Sequence, residues 1–310
     1  MKLFGYIFYF VKNTPAVLGY KLFKRLKRLD KFNGQKNINL EFSNKVLSEA
    51  IDKGAPFAAI RFGAVELSCL NNHEKIELHL KRHYKKSVKY SMKNNAGYYP
   101  VDDKSLKEYG DYFLPLLKET DILGISGVHM EDYFSKKYLD SPTYILYEGM
   151  EPLRGDWSKK LEAKKVLVVS PFVRDIENQY KRREKLFPEN DQRLPKFELK
   201  LLQAPLTLAE ETGSAPTFFD GLDMMLASIK NMDFDIALVG AGAYGSLLCL
   251  EIKKMGKMAI QTGGATPTLF GIIGKRWKKR QHVAKYVNEY WISPSDKPKG
   301  FLNVEGGAYW

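Results

Sequence analysis

The chain is poor in cysteine: Cys69 and Cys249 are the only two in 310 residues. Both sit inside apolar stretches with no metal-ligand spacing around them, which argues against a disulfide framework or a structural zinc site and fits a reducing compartment. Long hydrophobic runs are also missing. The aromatic stretch LFGYIFYFV at residues 3–11 is interrupted by Lys12, Asn13 and Pro15, well short of the ~20 residues a bilayer span requires. No small-x-small cleavage site follows cleanly, so a removed signal peptide is not expected. Low-complexity linkers and fixed-period repeats are absent, as are a G-x-S-x-G elbow and an H-E-x-x-H pair. His79 and His83 lie four apart, but in a charged neighbourhood that marks them as surface residues. Acidic residues are in deficit, 36 Asp and Glu against 49 Lys and Arg, for a net charge of +13. That balance calls for an anionic partner: nucleic acid, a membrane surface or a phosphorylated substrate.

Hydrophobic residues at 44% and charged residues at 27% supply a sizeable core. Much of the basic excess is concentrated at the start, where Lys2, Lys12, Lys21, Lys24, Arg25, Lys27, Arg28 and Lys31 face only Asp30 within residues 1–32. From Lys21 onward, Leu22, Leu26 and Leu29 recur at helical spacing among these cations, which predicts a basic amphipathic helix. With Phe4, Tyr6, Phe8, Tyr9 and Phe10 beside it, residues 1–32 are expected to act as an arm binding an anionic membrane surface. Packing of this helix on the core is the alternative. No nucleic-acid-binding module is recognisable.

Beyond the arm, strand-length apolar runs alternate with helical patterns. Strands are predicted at 57–61, 122–126, 143–147, 166–170, 197–203, 236–240 and 258–262, and helices at 43–54, 175–186, 218–230 and 244–255. Such alternation predicts an α/β fold, Rossmann-like, with a largely parallel sheet covered by helices on both faces. Residues 33–310 form the body, with a candidate joint near 141–158 where Pro142, Gly149, Pro152 and Gly155 cluster.

Ligands of open parallel sheets sit at the carboxyl ends of strands, so four strand-end motifs carry most weight. The first is RFGAVE, in which Arg61, Gly63 and Glu66 on one tight turn can hold an anion and a hydroxyl or metal, or form an ion pair that only fixes the turn. The second, DIALVGAGAYG, places Gly240, Gly242, Tyr244 and Gly245 in a G-x-G-x-x-G arrangement between strand and helix. It suits a pyrophosphate or, alternatively, close strand–helix packing. The next strand ends at Gln261-Thr262-Gly263, without the acidic residue a nicotinamide cofactor expects on its ribose. The third motif, GGATPTLFGIIGKRW, joins Gly263, Gly264 and Thr266 to Lys275, Arg276 and Trp277, a set suited to stabilising a diphosphate and stacking on a base or sugar. The fourth is Ser170-Pro171-Phe172, leading into Arg174, Asp175, Gln179, Lys181, Arg182 and Arg183; polar side chains on the first helical turn are expected to face the same crevice, and a solvated helix accounts equally for Lys181 to Lys185.

Together, SPFVRDIENQYKRREKLFP, DIALVGAGAYG, GGATPTLFGIIGKRW and the terminal EGGAYW resemble a family of bacterial proteins encoded among polysaccharide-biosynthesis functions. The RFGAVE turn is similar to the R-x-G-D-G-E signature of GT-D-type glycosyltransferases, whose D-x-E pair serves the nucleotide-sugar site. Arg61, Gly63 and Glu66 match it, and Ala64 stands where that family has the Asp. Pro267 also stands where relatives more often carry Gln. The resemblance implies a GT-D-like enzyme, peripheral on the inner face of the cell membrane, that moves a sugar from a nucleotide-diphosphate donor to a lipid-linked or growing bacterial surface glycan. It further implies Glu66 as acceptor base or partner to the donor sugar, and a Mn2+ or Mg2+ ion on Glu66. With the Asp replaced by Ala64, Arg61, Lys275 and Arg276 are expected to share the diphosphate charge instead. Two other functions remain open on sequence: a nicotinamide-dependent sugar-nucleotide oxidoreductase and a non-catalytic scaffold of a glycan assembly complex.

Overall fold

The computed structural model describes residues 2–23, 29–205, 215–297, 299–303 and 306–310, except for the side chains of residues 2 and 16–23. All seven predicted strands are present: β1 (Phe57–Arg61), β2 (Ile122–Ile125), β3 (Thr143–Leu146), β4 (Lys165–Ser170), β5 (Glu198–Gln203), β6 (Ile236–Val239) and β7 (Met258–Ile260). They form one sheet in the order β3-β2-β1-β7-β6-β4-β5, and every neighbouring pair is parallel. The stretch 141–158 contains β3 and the connection from that edge of the sheet towards β4 on its other side, so the two halves share one continuous sheet.

Alternation along the strands divides the core into two layers. Ala58, Ile60, Leu123, Ile125, Leu167, Val169, Ala237 and Val239 join one buried cluster, while Phe57, Ala59, Val166, Val168, Ile236 and Leu238 join the other. Successive side chains of a strand point to opposite faces, and burial on both sides requires apolar residues at every position. The first face is covered by α3 (Ala64–Glu77), α4 (Lys86–Ala96), α5 (Asp103–Leu116), α6 (Glu131–Tyr138), α8 (Phe218–Lys230) and α9 (Tyr244–Lys254). The second is covered by α2 (Leu40–Lys53), α7 (Val173–Tyr180) and the C-terminal segment after β7. At the amino ends of the strands, Asp121 and Asp235 accept backbone N–H bonds from Ala58 and Lys165, both in neighbouring strands. These bonds help fix the register at the end of the sheet opposite the glycine turns.

Several helices begin with side-chain caps. Asn39 accepts from Phe42 N, Asp102 from Ser105 N, and Thr217 forms a reciprocal capping box with Asp220. α7 ends earlier than the sequence predicts, because the chain turns after Tyr180 and carries Leu186 and Phe187 back into the core. Trp157 is fully buried in the second layer and donates Nε1–H to the Gly149 carbonyl at 2.9 Å. Trp157→Ala is expected to cost about 3–5 kcal/mol, measured as a lowered urea midpoint at unchanged slope.

α1 (Lys2–Phe23) is one helix that continues through Pro15. It lies against α6: Tyr6 is buried and packs edge-on to Tyr133, and Asp132 accepts bonds from Lys12 Nζ at 2.8 Å and Asn13 Nδ2 at 2.9 Å. The basic amphipathic helix expected from Lys21 falls mostly outside the described residues. No described helix is long and apolar enough to cross a membrane.

Candidate functional site

A cleft of about 240 Å³ lies over the carboxyl ends of β1, β4, β6 and β7, where an open parallel sheet places its ligands. Arg61, Glu66, Ser170, Pro171, Phe172, Gly240, Gly242, Tyr244, Gly245, Gly263, Gly264 and Arg276 all line it. Strand ends from four distant parts of the chain thus converge on one rim.

The glycines divide by role. Gly242 and Gly263 have φ of +53° and +56°, the left-handed region that L side chains avoid. Gly240 instead permits close approach, since a Cβ there would stand 2.4 Å from Thr266 Oγ1 and 2.6 Å from the Gly263 carbonyl oxygen. Gly245 makes room for Gln261, and the Ala96 carbonyl at the end of α4 accepts from Ala243 N at 3.1 Å beside Gly242. The G-x-G-x-x-G pattern is therefore partly a packing device.

Backbone donors remain at this rim. Ala64, Val65 and Glu66 are the first three residues of α3, whose Gly63 N-cap supplies no side-chain cap, and such residues lack intrahelical acceptors for their N–H groups. The N–H groups of Ala241, Gly242, Gly263 and Gly264 likewise meet no protein acceptor among the described residues. All seven residues line the cleft. The Arg61 guanidinium lies against Gly263 and stands 6.0 Å from the Tyr147 ring centre, with no carboxylate in salt-bridge range among the described residues. Uncapped helix N–H groups, left-handed glycine turns and guanidinium groups form an electropositive cradle for a multiply charged anion.

Among the described residues, Glu66 is the one acidic side chain lining the cleft. Its carboxylate curls over Gly63, where a Cβ would fall 1.9 Å from Oε2, so Gly63 accommodates Glu66 and does not itself line the cleft. Among the described residues, one carboxylate beside two arginines is a poor donor set for a divalent ion, which ordinarily takes one or two carboxylates together with substrate phosphates and waters. Among the described residues, His73, Glu77 and Asp111 come close enough to ligate a metal. They lie towards the other end of α3, and Lys107 already pairs with Glu77 at 3.2 Å and Asp111 at 2.9 Å. His83 is exposed and bonded to Asp103.

Other sequence expectations are redirected. Thr266 is buried and spends its hydroxyl on Gly263 O and Thr262 Oγ1, outside the cleft lining. Lys275 is solvent-exposed and lines no cleft wall. Trp277 is buried in the second core layer and borders an adjacent chamber instead. Tyr244 stacks on Phe218 with ring centres 4.1 Å apart. In α7, Asp175 holds Ser295 and Gln179 donates to the carbonyls of Gly271 and Tyr290, and neither lines the cleft.

Several lining residues were not among the site candidates the sequence offered. Asn95, Ala96 and Gly97 enter from the end of α4, Pro205 follows β5, and Tyr309 and Trp310 reach back from the C-terminal segment. Gln261, noticed in the sequence only as the absence of an acidic residue, is buried. Its Oε1 accepts from Arg61 N at 2.8 Å and Ser246 Oγ at 3.0 Å, tying the turns after β1 and β7 to α9.

The adjacent chamber, about 290 Å³, is lined by Ser126, Val128, Tyr147, Glu151, Trp277 and Arg280 and shares Arg61, Ala64, Gln261, Gly264 and Arg276 with the cleft. Burial raises the Glu151 carboxyl above its usual range, against the opposing pull of Arg154 and Arg280.

No protein-family model matches this sequence, and no curated protein does. Among solved structures, the chain is similar to one described as the highly conserved domain of unknown function 1792, with a distinct glycosyltransferase fold. The identity is 14%, covering 73% of this chain and 82% of that chain, at a TM-score of 0.41. A selenomethionine-substituted structure of the same domain matches with the same identity and TM-score, over 73% of this chain and 83% of that one.

Proposed function

We propose that the cleft binds the diphosphate of a nucleotide-sugar and that the protein transfers the sugar to a glycan acceptor. The observation that carries this reading is the cradle itself: backbone N–H groups from the turns after β1, β6 and β7, with Arg61 and Arg276, in one cleft. Such groups stabilise the charge that develops on a departing diphosphate. Glu66 is the acidic side chain of the cleft among the described residues and in this reading takes the proton of the acceptor hydroxyl as the glycosidic bond forms. The two arginines answer the diphosphate charge in place of a resident metal. Gln261, with its carbonyl oxygen committed to Arg61 N and Ser246, weighs against a nicotinamide site.

A thermal-shift panel of nucleoside diphosphates and nucleotide-sugars tests this reading. A ligand at a hundred times its Kd adds about 2.7 kcal/mol, a rise of several degrees in Tm, and the rise should persist in EDTA. Silence across the panel overturns it.

The same reading places the protein on the inner face of a membrane. Leu3, Phe4, Ile7, Phe8, Phe10 and Val11 are six of the eleven exposed large hydrophobic residues among those described, all on α1, while Tyr6 and Asn13 hold the helix to the body. Lys75, 4.9 Å from the Phe10 ring centre, adds positive charge beside this stripe, and anionic lipid meets both needs. Cosedimentation with anionic vesicles is expected to fall sharply for the double variant Phe4→Ser/Phe8→Ser, whose side chains are 79% and 63% exposed. Undiminished binding by that variant removes the proposal.

A further inference from the structure

We infer that the second chamber is an acceptor subsite and that it takes a phosphate or diphosphate group carried by the acceptor. The word acceptor rests on the sugar-transfer reading; the anion site itself does not. The chamber meets the main cleft across Arg61, Gly264 and Arg276, so ligands in the two spaces would face each other over a shared wall. A transfer reaction needs this geometry, because both substrates must be held side by side for the bond to pass between them.

The chemistry of the lining selects the ligand. Arg280 is exposed and has no carboxylate in salt-bridge range among the described residues. It lines the chamber together with Arg61 and Arg276, and the acidic side chain there among the described residues is Glu151. Glu151 is already paired with Arg154, whose Nε stands 3.3 Å from its carboxylate. Arg280 is therefore available to a ligand here, with Arg61 facing both spaces, and planar guanidinium groups match phosphate oxygens. Tyr147 and Trp277 add aromatic wall beside these cations, and the Trp277 Nε1–H is buried without an acceptor among the described residues. A sugar next to the phosphate would find both an apolar face and a hydrogen-bond donor there.

The chamber also adjoins the helix proposed to touch lipid. Ser126 and Val128 line it, and His129, next along that loop, packs edge-on to Phe10 of α1 with ring centres 5.7 Å apart. Phosphate on a membrane-anchored acceptor and phosphate on a soluble glycan share the chemistry of this subsite.

Calorimetry on the full chain tests the inference. Inorganic pyrophosphate is titrated into protein saturated with a nucleoside diphosphate taken from the panel. The expected result is a separate binding event that Arg280→Ala weakens about 10-fold or more, with nucleoside diphosphate affinity unchanged, since Arg280 does not line the main cleft. Repeating the titration with farnesyl diphosphate in detergent micelles separates the two sources: tighter binding than pyrophosphate points to a lipid-linked acceptor, and equal binding to a soluble one. Pyrophosphate that only competes with the nucleotide overturns the inference, as does an Arg280→Ala variant that binds like the wild type. If no nucleoside diphosphate binds, the sugar-transfer reading falls and the acceptor role falls with it. The anion site is then judged separately by comparing wild type with Arg280→Ala in pyrophosphate alone.

Discussion

Replacing Glu66 with Gln is expected to reduce release of nucleoside diphosphate from the nucleotide-sugar donor by about 10²- to 10⁴-fold, the usual contribution of a positioned general base. Affinity for the nucleoside diphosphate should change little. The amide keeps the size of the carboxylate and its hydrogen-bonding capacity over Gly63, but it cannot accept a proton. Glu66 is half-buried in the first turn of α3, and loss of its favourable charge near a helix N-terminus costs only about 0.3–1 kcal/mol. The variant should therefore remain folded, with an unfolding midpoint close to that of the wild type. A folded Glu66→Gln protein with near-normal turnover removes Glu66 from the chemistry.

Arg61→Ala is expected to weaken nucleoside diphosphate binding by about 10- to 100-fold, the loss of one or two charge-assisted hydrogen bonds. Arg61 lies in the wall between the two chambers and against the left-handed Gly263 turn, so its charge serves both spaces. Arg61→Lys should recover only part of the affinity, because an ammonium group cannot span two phosphate oxygens as a guanidinium does. Equilibrium binding by calorimetry distinguishes these variants from each other. Equal affinity for wild type and Arg61→Ala would show that the backbone amides alone hold the ligand, or that the ligand lies elsewhere. The two substitutions separate the roles: Glu66→Gln should lower turnover at intact affinity, and Arg61→Ala should lower affinity first.

The seven strands were legible in the sequence because a doubly covered parallel strand must be apolar at every position, which leaves short, dense runs such as AAI at 58–60 and VLVV at 166–169. The glycine turns were legible as well, since only glycine tolerates both the left-handed backbone of Gly242 and Gly263 and the contact distances at Gly240. The same pattern could not show which glycine serves a ligand and which serves packing. Gly245 yields to Gln261, a residue sixteen positions away whose role appears only once β7 lies beside β1. Trp277 illustrates the opposite error. Beside Lys275 and Arg276 it resembles a stacking residue, yet helical geometry sends adjacent side chains in different directions, and Trp277 turns into the core while Arg276 lines the cleft.

By itself the sequence determined the α/β class, the strands, the electropositive strand ends and the candidate pair of Arg61 and Glu66, because each follows from local composition and spacing. The tertiary structure decided the rest: the strand order that gathers four distant turns at one rim, the entry of the α4 end and of Tyr309 and Trp310, and the division of the basic residues between two chambers. These depend on contacts between segments tens to hundreds of residues apart, and the local pattern of a segment does not record which other segment it will meet.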